Sequence, residues 1–530
     1  MAPLSVPCSL AQSRFWILDA LNPGTAALNV AVRWKLLGTL PPAHVQRAFD
    51  RIIARHEILR TAIAEVEGEP VQVVAPRVDF TVGVADLAAH PEETRWAEAE
   101  RLGAIEATTP FRLDAAPLIR VTLVILEPAV SLLLVTLHHA VCDGWSIGVL
   151  AQEFMAALDA IAQGGPILPD ELPLQYGDYA EWQQAWVESE GLEAVSAYWT
   201  ERLAGAPYVE VPPDRPRGVV RGKGVIASVL LPRAVGDGVA AQARRHGCTT
   251  FTVALAALSR MLAARTQAKE ITIGTQVAGR TEVELEGMVG PFINTLVLRL
   301  DTAAAGDVSA SIHRAAVAVN GALEHHAMPF EMLIRRLNPP RDRSRTPLFA
   351  VNFIFQRSFV APAQQGGVTL VDMPSHSAGA LYDLNFFMVE RPDGWRASCE
   401  YDSALYDPAT VEAMLSAWQD ALAGEVAPLQ DDALAQLAQI WRKVLGVAKV
   451  GPADGFFDLG GHSLLAARML AQVEANFGRR VPMAALFQDS TLAGFATHLA
   501  GSRVVQAGAS AAEPPRRSTL GRLQRLLGRG

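Results

Sequence analysis

Residues 136–146, TLHHAVCDGWS, place two adjacent histidines at the end of an apolar stretch, with Asp143 and Gly144 just downstream. The upstream run VTLVILEPAVSLLLVTL (121–137) is interrupted by Glu127 and Pro128. It reads as two buried strands, near 118–126 and 131–137, joined by a Glu-Pro-Ala turn, not as a membrane span. Downstream, SIGVLAQEFMAALDAIAQ (146–163) has helical period, with Ser146 as its expected N-cap. The histidines therefore sit on a strand-to-helix loop, where a rigid scaffold can aim side chains at a ligand. That succession makes the first part of the chain α/β.

Working outward, residues 43–60 place Val45, Ala48, Phe49, Ile52 and Ile53 on one helical face. The Pro/Gly-rich passage QGGPILPDELPLQYGD (163–178) marks a first boundary. A second α/β half follows to about residue 425, with strands EITIGTQVAG (270–279) and NTLVLRLD (294–301) and a helix at 309–326. Two halves of similar size are compatible with an internal pseudo-duplication. Beyond 427, Leu434, Leu437, Ile440, Trp441, Val444 and Leu445 share a face, the mark of a small helical bundle ending near 502. The last residues begin as a small-residue linker. They end with Leu520, Leu523, Leu526 and Leu527 at helical spacing among arginines: an amphipathic docking helix, a weakly membrane-binding one, or a frayed tail.

A chain of 530 residues is too long for a single core. A formal net charge of −9 with no long basic run before the C-terminal tail argues against a nucleic-acid surface. Cys8, Cys142, Cys248 and Cys399 are scattered without CxxC spacing, which excludes a zinc ribbon and a disulfide framework and points to a reducing, cytoplasmic setting. The N-terminus MAPLSVPCSLAQSRFW has no basic region followed by an apolar core, so no signal peptide is read there.

Alone, a histidine pair at a strand end is more often a packing pair than a catalytic one. A metal site lacks the three or four converging ligands it needs, and none is assigned. The catalytic reading rests on histidine being the side chain best poised to take a proton near neutral pH. Its company decides. HHAVCDG (138–144) resembles the HHxxxDG signature of nonribosomal peptide synthetase condensation domains. SLAQSRFWIL (9–18), RHEILRT (55–61), YGDYAEW (176–182), VGPFINTLVLR (289–299), HHAMPFE (325–331) and RDRSRTPLF (341–349) resemble that family's other core motifs, in its order.

The resemblance implies an α/β fold of two chloramphenicol-acetyltransferase-like lobes in a V-shaped pseudo-dimer, with the active site midway along a tunnel between them. It implies that His139 is catalytic, with His138 beside it. Asp143 becomes a structural residue paired with an arginine; Arg280 is the first candidate, with Arg60 and Arg299 also possible. Gly144 is expected to turn the backbone tightly through its permissive φ. Trp145 and GMVGPFINT resemble the subtype that joins an L-configured donor to an L-configured acceptor. Cys142, Ala327 and Met328 depart from the commoner residues without touching the proposed chemistry.

GFFDLGGHSLLAARML (455–470) is the second informative stretch. A serine after two glycines is, read alone, a helix N-cap; a nucleophile elbow would need glycine where Leu465 stands. The stretch resembles the carrier-protein signature in which serine receives 4'-phosphopantetheine, with WRKVLGV (441–447) and VPMAALFQDSTLAGFATHLA (481–500) resembling the flanking helices. Ser463 would open a helix whose N-terminus tolerates a phosphodiester, with Gly460 and Gly461 admitting the modifying enzyme.

The expected organisation is an N-lobe over 1–170, a C-lobe over 171–427, a four-helix carrier bundle over 428–502, and a linker with a docking tail over 503–530. The expected activity is an acyl transfer that forms an amide between a donor thioester on an upstream carrier and an amine held on Ser463. No SGTTG-PKG-like glycine loop occurs in the sequence, so an adenylation enzyme is expected to act in trans. A phosphopantetheinyl transferase and a downstream synthetase or release enzyme, reached through the tail, complete the expected partners. Ester formation, transfer to a free soluble amine, and a non-catalytic recruitment scaffold remain open alternatives.

Overall fold

The computed structural model describes residues 3–504 except 166, 168–171, 190, 219–222, 304–305, 341, 343, 358–359, 361–362, 392–393, 425–430, 478, 482, 484–485, 487–489 and 502. The expected docking tail lies outside the described residues. The chain divides into two compact units: one built from the chain up to Leu231 with Leu258–Trp418, the other from Pro232–Ala257 with the described residues from Gln419 onward.

The first unit holds two six-stranded mixed sheets. In the first, Val130–His138 is an inner strand, antiparallel to both Asn29–Leu37 and Ile119–Glu127. Its alternate residues serve two cores. Leu133, Val135 and Leu137 join one cluster with Phe49, Leu150 and Phe154, while Leu132 and Leu134 join another with Ala99, Val124 and Leu126. A strand covered on both faces needs apolar residues at successive positions, which explains the unbroken run before the histidines.

Helix Pro42–Arg55 buries Val45, Ala48, Phe49, Ile52 and Ile53, the face expected from the sequence. It packs on helix Gly144–Gln163, with Phe49 and Phe154 ring centroids 5.4 Å apart. That second helix has the length and apolarity of a membrane span, but Ile147, Leu150, Phe154 and Leu158 are buried in the core.

Sheet membership does not follow chain order. Ala363–Gln365 and Val368–Met373 lie within the expected C-lobe, yet Val368–Met373 pairs antiparallel with Asn29–Leu37 of the first sheet. The turn between them, Gly366–Gly367, has φ of 57° and 75°. Two successive positive φ values suit a two-residue hairpin, and glycine adopts them without steric cost. A division near residue 170 therefore separates the chain but not the sheet.

The second sheet runs Asn294–Asp301, Glu270–Val277, Val351–Arg357, Leu384–Arg391, Gly394–Asp402 and Gly224–Leu230, with Val351–Arg357 parallel to both its neighbours. Glu270–Val277 and Asn294–Asp301 match the strands expected there, and helix Val308–Glu324 occupies the expected helical stretch.

In the other unit, helices Asp431–Leu445, Ser463–Phe477 and Leu492–Gly501 surround Trp441, Phe456, Met469, Val473 and Phe495, all fully buried. Leu437 and Ile440 are buried as expected, and Val444 and Leu445 pack against the same core; the Leu434 side chain is outside those described. Much of 482–489 lies outside the described residues.

Candidate active site and carrier serine

His138 ends its strand and points inward, with 1% of its surface exposed. The Ala140 N–H donates to His138 Nδ1 at 3.1 Å, so the ring proton sits on Nε2. Burial, aided by the neighbouring His139, pushes its pKa down to about 3. His138 is thus a neutral, inward-facing ring that pins the backbone of the loop.

His139 projects to the other side and is half-buried. Its backbone N–H donates to the Leu28 carbonyl at 2.8 Å. Its Nδ1 lies 3.0 Å from the Cys142 carbonyl oxygen, which only accepts. Nδ1 must therefore carry the proton, leaving a lone pair on Nε2. Phe15 stacks on the ring, centroids 5.1 Å apart and planes inclined by 20°. Burial lowers the His139 pKa below the ordinary histidine value; the Cys142 bond and Asp143 oppose this, and Arg14 adds to it. The ring is held neutral and in a fixed orientation.

Asp143 is buried and caps helix Gly144–Gln163. Its Oδ1 accepts the Ser146 N–H at 2.8 Å and lies 2.7 Å from Ser146 Oγ, while Oδ2 accepts the Phe292 N–H at 3.1 Å. The expectation of Ser146 as N-cap is corrected: Asp143 is the cap, and Ser146, three residues on, completes a capping box. Gly144 is also corrected. It is the first helical residue and is not among the positive-φ glycines, because Asp143 makes the turn in extended conformation (φ −130°, ψ −177°).

Arg280 is the arginine brought against Asp143, with Nη2 3.2 Å from Oδ1. Its guanidinium also donates to the Met288 carbonyl at 2.7 Å and to the Leu285 carbonyl, and lies 4.1 Å from the Phe292 ring centroid. Arg60 and Arg299 are elsewhere. Arg60 bonds the Ala75 carbonyl and Glu57, and Arg299 pairs with Glu270 at 2.7 Å. Trp145 donates from Nε1 to the Glu286 carbonyl at 2.9 Å.

Phe15 and Arg14 were not singled out from the sequence, although both lie in SLAQSRFWIL. Helix Leu10–Leu21 brings Phe15 onto His139, and Arg14 Nη1 donates to Thr295 Oγ1 at 2.9 Å. Their role depends on contacts across long chain separations that no local spacing encodes.

In the second unit Ser463 is the first helical residue, and the His462 carbonyl accepts the Ala466 N–H at 2.9 Å. The side chain of Ser463 is outside those described. The preceding turn is tight: Gly460 has φ of 89°, and the Gly461 N–H donates to the Phe456 carbonyl at 2.9 Å. A Cβ at Gly461 would meet the Phe456 ring, whereas one at Gly460 would meet nothing within 4 Å. The shared role expected of the two glycines is thus divided: Gly460 faces open space and Gly461 fits the core. A primary hydroxyl in a first helical turn, beside N–H groups lacking intrahelical partners, suits a phosphodiester.

Residues 4–433 match the family model for the condensation domain. The chain belongs to the condensation-domain family. Residues 435–499 match the phosphopantetheine attachment site, so the condensation domain is followed by a carrier domain whose cofactor is 4'-phosphopantetheine. A linear gramicidin synthase of Brevibacillus parabrevis is 37% identical over 421 residues, 78% of this chain. Phosphinothricin tripeptide synthetase PhsB of Streptomyces viridochromogenes is 32% identical over 84% of this chain. The chain spans only 8% of the first and 39% of the second. Among solved structures, the first condensation domain of the calcium-dependent antibiotic synthetase superposes with a TM-score of 0.71 at 21% identity, over 80% of this chain and 97% of that one. The X-domain from teicoplanin biosynthesis, solved in complex with OxyB, superposes at 0.70 with 25% identity, over 80% of this chain and 94% of that one. These likenesses place the first unit in the chloramphenicol-acetyltransferase-like fold.

Proposed function

We propose that the condensation domain joins a donor acyl or peptidyl thioester, delivered on a partner carrier, to an amine tethered at Ser463. The observation that carries this reading is the His139 ring, its Nδ1 proton committed to the Cys142 carbonyl and Nε2 left as the acceptor. As the amine nitrogen attacks the donor carbonyl, a C–N bond forms and the C–S bond breaks. Nε2 takes the proton lost by nitrogen and returns it to the departing thiolate. The lowered pKa keeps His139 neutral at pH 7, the state a base requires. Asp143, Arg280 and Ser146 hold the loop and are positioning residues. A thioester is already activated, so holding both reactants in place supplies much of the acceleration, about 7–11 kcal/mol in favourable cases.

4'-Phosphopantetheine supplies the thiol on which the acceptor is carried. Gly460 and Gly461 shape the turn that sets Ser463 at the helix start. The proposed partners are an upstream donor carrier, an adenylation enzyme loading Ser463, a phosphopantetheinyl transferase, and a downstream synthetase or release enzyme. The proposed setting is the cytoplasm, in keeping with four free cysteines, three of them buried.

The test is mass spectrometry of the Ser463 peptide after reaction with a loaded donor carrier, in wild type and His139→Ala. The expected result is an acyl-aminoacyl mass in wild type, reduced to the bare acceptor in the variant by about 10²–10⁴-fold in rate. Base-stable linkage separates amide from ester. A recruitment scaffold is a second reading, favoured by the likeness to the X-domain solved with OxyB. It predicts the same small species in both proteins.

A further inference from the structure

A row of polar side chains crosses the second sheet. Thr295 is opposite Gln276, Asn352 opposite Asn385, and Asn385 opposite Glu400. The side chains are linked as well. Gln276 Nε2 donates to Asn352 Oδ1 at 2.8 Å, and Asn352 Nδ2 donates to Gln276 Oε1 at 3.1 Å and to Asn385 Oδ1 at 2.8 Å. Asn385 bonds Glu400, and Ser377 Oγ donates to Glu400 Oε1 at 2.6 Å. Neighbours one position along, Leu384, Phe386, Cys399 and Tyr401, are buried on the opposite face. The polar face is more open: Gln276, Asn385, Ser377 and Glu400 are half-buried.

The row begins at the histidine loop's own neighbour, since Thr295 accepts from Arg14, the residue before Phe15. It ends at Glu400, four strand spacings away, about 19 Å at about 4.8 Å per spacing. Along it the amides satisfy one another. Glu400 differs, because no described residue forms an ion pair with it. A half-buried carboxylate without a cation lacks its best partner, and a glutamine would meet Ser377 and Asn385 equally well. Burial accordingly raises its pKa. The sheet uses amides at every other inner position of the row, so the carboxyl group itself calls for an explanation.

We propose that Glu400 is a subsite for a cationic group, an ammonium or guanidinium, at the distal end of a long acyl or peptidyl substrate lying along the amide row. The identity of that ligand as a substrate rests on the condensation reading above. Ser377 holds the carboxyl group in place until the cation arrives, and a charge-assisted hydrogen bond then supplies the missing partner.

Calorimetric titration of the full chain tests this without turnover. The probes are S-(ω-aminoalkyl)pantetheines of hexyl, decyl and tetradecyl length against S-alkyl counterparts one carbon longer, which match them in size. Wild type is expected to prefer the ammonium probe by about tenfold or more at one length at least. Glu400→Gln, which keeps the hydrogen bonds, should lose that preference while binding the alkyl probe as before, with an unchanged or raised melting temperature. Equal or absent binding of the two probes at every length in wild type overturns the subsite, as does an ammonium preference that survives in Glu400→Gln. His139→Ala should retain the preference while losing condensation. An active wild type without the preference sinks the subsite alone, and a preference without condensation sinks the catalytic reading alone.

Discussion

At the residue scale, the two histidines differ through what each ring nitrogen touches. The Ala140 N–H makes His138 Nδ1 an acceptor, whereas the Cys142 carbonyl makes His139 Nδ1 a donor. A base must be neutral, so the rate should fall as pH drops through the His139 pKa, which burial and Arg14 hold below 6.5. Arg14→Gln removes a positive charge that disfavours imidazolium. It should move the acid limb of the pH–rate profile to higher pH. An unmoved limb would mean that Arg14 does not act on the ring's charge. The sequence makes His139 and Asp143 legible because their residue types and spacing are local. It cannot choose Arg280 over Arg60 and Arg299, because the choice depends on which arginine folding brings 137 positions back to Asp143. Ser146 and Asp143 are both N-cap residue types three positions apart, so pattern alone leaves the cap ambiguous. The fold uses both.

At the element scale, helix starts decide where the reactive groups stand. The strand-to-helix loop is legible because a doubly covered strand and an apolar-striped helix flank it. The carrier turn is less so, because two adjacent glycines look alike in sequence. Gly461→Ala would push a methyl into Phe456, which is buried against Trp441 with ring centroids 5.0 Å apart. Overpacking of this kind costs about 1–3 kcal/mol. The carrier melting transition should drop accordingly, and priming of Ser463 should slow because the turn before its helix is displaced. Gly460→Ala meets no neighbour but must adopt positive φ, a cost of about 1 kcal/mol. It should spare the core. Near-ultraviolet circular dichroism separates the two, with Trp441 signal lost in the first variant and kept in the second. Equal signals would count against the division of roles.

At the scale of the whole molecule, the histidine loop depends on segments far along the chain. Val368–Met373 closes the exposed side of Asn29–Leu37, the strand that pairs directly with Val130–His138, and Asn29 lies opposite His138. Phe292 and Arg280 supply two of the bonds to Asp143. None of this pairing is visible in periodicity, which reports the faces of an element but not its neighbours. A fragment spanning Met1–Leu203 retains both histidines and Asp143, yet it loses the strand that covers Asn29–Leu37 and leaves Asp143 buried without Arg280. Breaking a buried ion pair in this way costs about 3–5 kcal/mol, and an open sheet edge invites association between chains. The fragment should therefore unfold without a cooperative transition and aggregate on concentration. The described residues of the carrier core, by contrast, all fall within 437–499, so a fragment from Asp431 to Val504 should melt cooperatively and accept priming at Ser463. Scanning calorimetry of the two fragments decides it. A sharp, reversible transition in Met1–Leu203 would mean that the first sheet closes without its borrowed strand and that the site is local after all.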